Sequence, residues 1–118
     1  MTITRGDVVL VDWPFSSGAA SKPRPALVVQ NDLDNQRLTN TILAMITTVT
    51  RRALETTQFL IEIATPEGAK SGLHRDSVVN CVNLFTVEQI MIIRTIGKLP
   101  PSLLIQVDNC LEAALQLS

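Results

Sequence analysis

Apolar residues in this chain fall in short runs of four to eight separated by turn formers, and only the last stretch repeats at helical spacing. Positions 8–13 form a first β-strand, introduced by the turn signal Arg5-Gly6-Asp7 and stopped by Pro14. The run Ala26-Leu27-Val28-Val29 is too short for a helix and β-branched enough for a second, buried strand. Positions 31–40 are dense in turn formers, and 41–48 make a third strand. A fourth spans 56–63 and is closed by Pro66-Glu67-Gly68; a fifth spans 76–82 and a sixth 89–98. After Pro100-Pro101-Ser102, Leu103, Val107, Cys110, Leu111, Ala114 and Leu117 recur near a period of 3.6, which is one amphipathic helix. The pattern as a whole predicts a mainly β chain, a small β-barrel with a C-terminal α-helix packed on it.

Residues 15–23 interrupt this pattern with Ser16, Ser17, Gly18 and Ser21, and read as a long, mobile loop between the first two strands. At 118 residues the chain is expected to be one domain, 1–118. Hydrophobic residues make up 46 % of it, high for so small a soluble chain, so some apolar surface is expected to go into a partner, most simply a second copy. Ten basic against eleven acidic residues give a formal charge of −1, so an anionic substrate must be held by a local patch. Cys81 and Cys110 lack metal-ligand spacing and read as buried, reduced thiols. With neither a secretory leader nor a run of about 18 apolar residues, the chain is expected to be cytoplasmic and free of the membrane.

The candidate chemistry begins at Lys22-Pro23-Arg24-Pro25, where two prolines fix the backbone around a cation at the mouth of the second strand. If strands two and three pair antiparallel with Gln30 facing Thr41, facing residues have numbers summing to 71, and Arg24 falls opposite Thr47. One β-bulge would bring Thr48 or Ile46 there instead. A guanidinium presents five fixed donors that match phosphate oxygens in pairs, and a hydroxyl adds another, so the pair suits an anionic phosphoryl transition state. Lys22 adds a second positive charge at the same end.

In order along the chain, Arg5-Gly6-Asp7-Val8, the segment from Lys22-Pro23-Arg24-Pro25 through Gln30-Asn31-Asp32, Ile46-Thr47, Ser71-Gly72-Leu73 and Asp76-Ser77-Val78 resemble the MazF/PemK family of toxin endoribonucleases. The resemblance implies an SH3-like barrel working as a homodimer, the toxin of a type II toxin–antitoxin system. It implies sequence-specific cutting of single-stranded RNA through the 2′-hydroxyl, leaving 2′,3′-cyclic phosphate and 5′-hydroxyl ends, with no metal and no other cofactor. Arg24 and Thr47 then take the catalytic positions. The cognate antitoxin is expected to carry an acidic C-terminal tail that lies in the RNA groove.

Further residues are candidates for RNA contact. Lys22 and Thr48 flank the pair, Trp13 and Phe15 can stack an unpaired base, Arg51 with Arg52 can meet phosphates, and Ser77 can hydrogen-bond in the groove. Each also has a structural account: a core tryptophan with a loop anchor, solvated loop charges, and a strand start; Asp76 reads as a turn or salt-bridge residue. A guanidinium is a poor base at neutral pH, so the general base stays unassigned. His74 is the only histidine, in a turn where the family pattern does not ask for one. Two alternatives remain: a non-enzymatic CcdB-like toxin of DNA gyrase, disfavoured by a C-terminus without tryptophan, and an inactive barrel that only binds a partner.

Overall fold

The computed structural model describes residues 2–12 and 22–117. The expected loop at 15–23 lies largely outside them, as do Trp13 and Phe15. The strands are β1 (Asp7–Asp12), β2 (Pro23–Val28), β3 (Asn40–Thr47), β4 (Gln58–Ile61), β5 (Ser77–Glu88) and β6 (Ile92–Lys98). Between and after them lie α1 (Asp32–Arg37), α2 (Pro66–Ala69) and α3 (Pro101–Leu115).

All described pairings are antiparallel, in the order β4-β5-β3-β2-β1-β6. Among the described residues the sheet is not a closed ring: β4 and β6 each have one unpaired side. The mainly β architecture with a C-terminal helix stands, and two of its ladders are irregular. In the β3–β5 ladder Ala44 faces Leu84 whereas Met45 faces Asn80, so Cys81, Val82 and Asn83 bulge out of β5. The β1–β6 ladder shifts register twice, at Val8/Val9 and Leu10/Val11.

Residues of the unbroken apolar runs go alternately to the two faces, which is why β1 and β2 show no polar alternation. Val8, Leu27, Ala44, Ile46, Val79 and Ile61 share one cluster with Val107 and Cys110 of α3. Val9, Val11, Ala26, Val28, Leu43 and Ile92 form a second on the other face. Of the periodic positions expected along α3, Val107 and Cys110 are buried and Leu103, Leu111 and Ala114 pack against the core, but Leu117 lies past the helix end and is 69 % exposed. Cys81 and Cys110 are both free and buried.

Two stretches expected as turns are short helices instead. Asn31 caps α1, its side chain accepting from the Asp34 N–H at 2.9 Å. Thr65 caps α2, its hydroxyl accepting from the Gly68 N–H at 3.0 Å, with Pro66 at the first helical position. Asn, Thr, Asp and Pro serve turns and helix starts alike, so their density alone does not decide between the two. The fifth strand runs six residues beyond the expected end at Val82, because Leu84 to Glu88 resume pairing with β3 after the bulge.

Candidate functional site

The β2–β3 ladder pairs Ala26 with Met45, Leu27 with Ala44 and Val28 with Leu43, the register expected from counting. The Val29 N–H donates to the Ile42 carbonyl at 3.0 Å, so every second residue back, Leu27 and then position 25, is the next donor along this edge. Position 25 is proline and has no N–H, which is why the ladder stops there. The same register continued by two residues sets Arg24 level with Thr47. On the flanks, Val11 of β1 is the partner of Arg24 and Val78 of β5 the partner of Thr47.

Arg24 is exposed, and among the described residues its guanidinium makes no hydrogen bond or ion pair. All its donors are therefore available to an incoming anion. Thr47 is half-buried, and its hydroxyl accepts from the Val49 N–H at 3.1 Å. That bond uses a lone pair and leaves the hydroxyl proton free to be donated. A guanidinium and a hydroxyl at one strand end can hold the oxygens of a phosphodiester from two sides.

A groove of about 440 Å³ is lined by Pro25 and Thr48, the sequence neighbours of Arg24 and Thr47. Strand alternation puts its floor on the opposite face from Arg24, since Pro25 pairs with Leu10 whereas Arg24 pairs with Val11. Leu10, Pro25, Leu73 and Ile96 make that floor apolar. Lys22, His74 and Arg75 stand on its rim, and no carboxylate lines it among the described residues. Lys22 and Thr48 thus line one groove, and His74 with Arg75 joins them from a loop about fifty residues beyond Lys22.

The other candidates are placed as follows. Ser77 lines the groove, but it is 2 % exposed and its hydroxyl donates to the Arg75 carbonyl at 2.9 Å, which holds the loop carrying His74 and Arg75. Asp76 accepts from the Ile63 N–H at 2.9 Å, the structural role its turn position suggested. Arg51 is exposed in the turn after β3 and is not part of the groove wall; its neighbour Arg52 pairs with Glu55 at 3.1 Å. A cleft of about 550 Å³ elsewhere, bounded by Leu38, Thr39, Gln89, Ile90 and Ile92, offers no charged side chain.

The Ser71-Gly72-Leu73 motif is structural. Ser71 donates to the Gly68 carbonyl at 2.6 Å and accepts from the Leu73 N–H at 3.2 Å. Gly72, at φ +74°, passes so close to β6 that a Cβ would lie 2.0 Å from the Ile96 carbonyl oxygen. The Ser-Gly-Leu element is therefore the turn that aims Leu73 and His74 at the groove.

Residues 4–115 match the model of a family described as PemK-like, MazF-like toxin of type II toxin–antitoxin systems. The chain is 34 % identical to the endoribonuclease MazF6 of Mycobacterium tuberculosis, over 99 % of this chain and 100 % of that protein. It is 30 % identical to the endoribonuclease EndoA of Bacillus subtilis, over 99 % of this chain and 97 % of the relative. Its fold is similar to that of a mycobacterial endoribonuclease solved in complex with its cognate antitoxin, with a TM-score of 0.79, 21 % identity, and coverage of 98 % of this chain and 97 % of that one.

Proposed function

The chain belongs to the PemK-like, MazF-like family of type II toxins, and from that premise we propose that it is an endoribonuclease cutting single-stranded RNA through the 2′-hydroxyl. The observation that supports the chemistry is the register of β2 and β3, which, continued two residues past its last pair, brings Arg24 level with Thr47.

In the proposed reaction the 2′-oxygen attacks the adjacent phosphorus, a bond forms from O2′ to phosphorus, and the bond from phosphorus to the 5′-oxygen breaks. One proton passes in net from the 2′-oxygen to the leaving 5′-oxygen. The products are a 2′,3′-cyclic phosphate and a 5′-hydroxyl, with no metal or other cofactor taking part. Negative charge grows on the two non-bridging oxygens of the pentacovalent phosphate. Arg24, which has no competing partner among the described residues, faces that charge, and Thr47 donates its free proton to the same group. Preorganised donors of this kind are worth roughly 3 to 4 kcal/mol of transition-state stabilisation each.

The groove extends the reading to partners. Lys22 and Arg75 on its rim attract the backbone of an RNA, and the same field attracts the acidic tail of a cognate antitoxin, which blocks the site by occupying it. The active form is a homodimer, for which the exposed Ile90, Ile105 and Leu117 offer apolar surface. No helix among the described residues is long and apolar enough to cross a membrane, and we place the toxin in the cytoplasm.

The test is incubation of the purified protein with a long single-stranded RNA in EDTA, beside folded Arg24→Ala and Thr47→Ala variants. Discrete cuts ending in cyclic phosphate, made by the wild type and lost in both variants, are expected. Cutting that needs added metal, or that survives both substitutions, overturns the mechanism.

A further inference from the structure

Pro23 and Pro25 act differently on the two neighbours of β2. Toward β1 the pairing runs without a break from Leu27 with Val8 to Pro23 with Asp12. Toward β3 the last pair is Ala26 with Met45, so this seam ends at position 26 rather than 23. Alternation explains the asymmetry. The Val29 N–H is bonded to the Ile42 carbonyl, so positions 27, 25 and 23 turn their backbone groups to β3, and 26 and 24 turn theirs to β1. Both prolines therefore fall where a donor to β3 is missing, and neither removes a donor to β1. Arg24, between them, keeps its backbone on the side of Val11, its partner in β1. It is anchored on one side and free of β3 on the other.

On β3 the same alternation turns Ile42, Ala44, Ile46 and then Thr48 toward β2. The pairing of Ala26 with Met45, continued three steps, brings Thr48 level with Pro23. No bond forms there. Thr48 lies just past the end of β3, and its N–H has no hydrogen-bond partner among the described residues. Continued alternation aims this amide into the opened seam, between Thr47, its chain neighbour, and the level of Arg24. A backbone donor that is fixed and unpaired meets growing negative charge without reorganising.

We propose that Pro25 is a positioning residue: by ending the β2–β3 ladder at Ala26 it leaves the Thr48 N–H free as a third donor, after Arg24 and Thr47, to the non-bridging oxygens of the scissile phosphate. With alanine at 25, a new N–H faces the Ile46 carbonyl and the ladder extends. The next bond along it joins the Thr48 N–H to the Pro23 carbonyl and takes that donor away. The inference rests on the ribonuclease reading, since it supposes that a phosphodiester is cut at Arg24 and Thr47.

The experiment follows the Thr48 amide by NMR and hydrogen exchange while cleavage is measured on the same proteins. The bound probe is a fully 2′-O-methylated oligoribonucleotide of mixed sequence, which lacks the nucleophilic hydroxyl. In the wild type it is expected to move the Thr48 amide proton downfield. Without RNA, Pro25→Ala is expected to slow exchange of that amide at least about tenfold. On unmodified RNA the variant is expected to lower kcat at least about tenfold with KM within about threefold of wild type. A proline that only stiffens the strand would show as a lower urea midpoint with exchange and kcat unchanged, and that result overturns the proposal. A fall in kcat without protection of the Thr48 amide, or protection without a fall in kcat, overturns it too. Should Pro25→Ala not fold, the wild-type amide decides alone: unmoved by the probe, it overturns the inference. If the amide responds but unmodified RNA stays intact, the phosphate contact stands and the ribonuclease reading falls. If RNA is cut while the amide does not move, the reverse holds.

Discussion

Arg5 Nη2 lies 2.7 Å from Asp108 Oδ1, which joins the first turn of the chain to the middle of α3. The same arginine donates through Nε to the Val29 carbonyl at 2.9 Å, while its backbone N–H donates to Asp32 at 2.6 Å. One residue on, Gly6 sits at φ +96° and exchanges backbone bonds with both β2 and the end of β6: its N–H donates to Val28 and its carbonyl accepts from Leu99. Arg5-Gly6-Asp7 is thus the knot between sheet and helix.

Arg5→Ala is expected to cost about 1 to 3 kcal/mol in urea unfolding, because it leaves the Val29 carbonyl without its charged donor. Asp108→Asn is expected to cost less than about 1 kcal/mol, since the two side chains of the ion pair are 27 % and 47 % exposed and water screens them. A double-mutant cycle checks this division: a coupling above about 2 kcal/mol would assign the main effect to Asp108.

Gly72→Ala is expected to destabilise the fold by more than about 2 kcal/mol, because the added methyl meets the Ile96 carbonyl in a backbone conformation that side chains disfavour. The urea midpoint reads the stability. Because Gly72 directs the loop of His74 and Arg75, any folded variant should also bind RNA more weakly than wild type.

Stability should fall at high pH through the buried thiols. Burial, reinforced by the neighbouring Cys110, pushes the Cys81 thiol up to about 12, and burial raises Cys110 as well. An unfolded thiol ionises near pH 8.5, so above that the unfolded chain has lost protons that the folded one keeps. The stabilisation is whole below pH 8.5 and is lost as pH rises towards 12, at up to about 1.4 kcal/mol per pH unit for each thiol. Urea unfolding at pH 7.5 and pH 10 should show this decline, and Cys81→Ala should make it shallower. An equal slope in the variant would remove Cys81 as its source.

Much of this arrangement was legible from residue order. Proline, glycine and β-branched runs located the six strands, and because antiparallel pairing is arithmetic, Gln30 opposite Thr41 was enough to predict the observed register of Leu27 with Ala44. Two kinds of feature were not legible. The bulge at Cys81 to Asn83 adds residues without changing composition, so β5 continues to Glu88, past the end that the sequence pattern predicts at Val82. The meeting of His74 and Arg75 with Lys22 depends on Gly72 passing against Ile96, a contact between distant segments that no local pattern encodes.

Thr47 gives the sharpest test of the proposed chemistry, because its hydroxyl has two separable duties. As an acceptor it holds the Val49 N–H, and as a donor it is proposed to meet the scissile phosphate. Thr47→Ser keeps both and should retain cutting within about tenfold, the loss reflecting the freer rotamer of serine. Thr47→Val keeps the shape and loses both, so the rate should fall by roughly 10² to 10³ if the donor acts on the transition state. The structural duty alone would show as about 1 kcal/mol in urea unfolding, because the Val49 amide is exposed to water that can replace the lost acceptor. A Thr47→Val protein of near wild-type stability that still cuts RNA at near wild-type rate would leave Thr47 a turn residue and return the search for the second donor to Thr48.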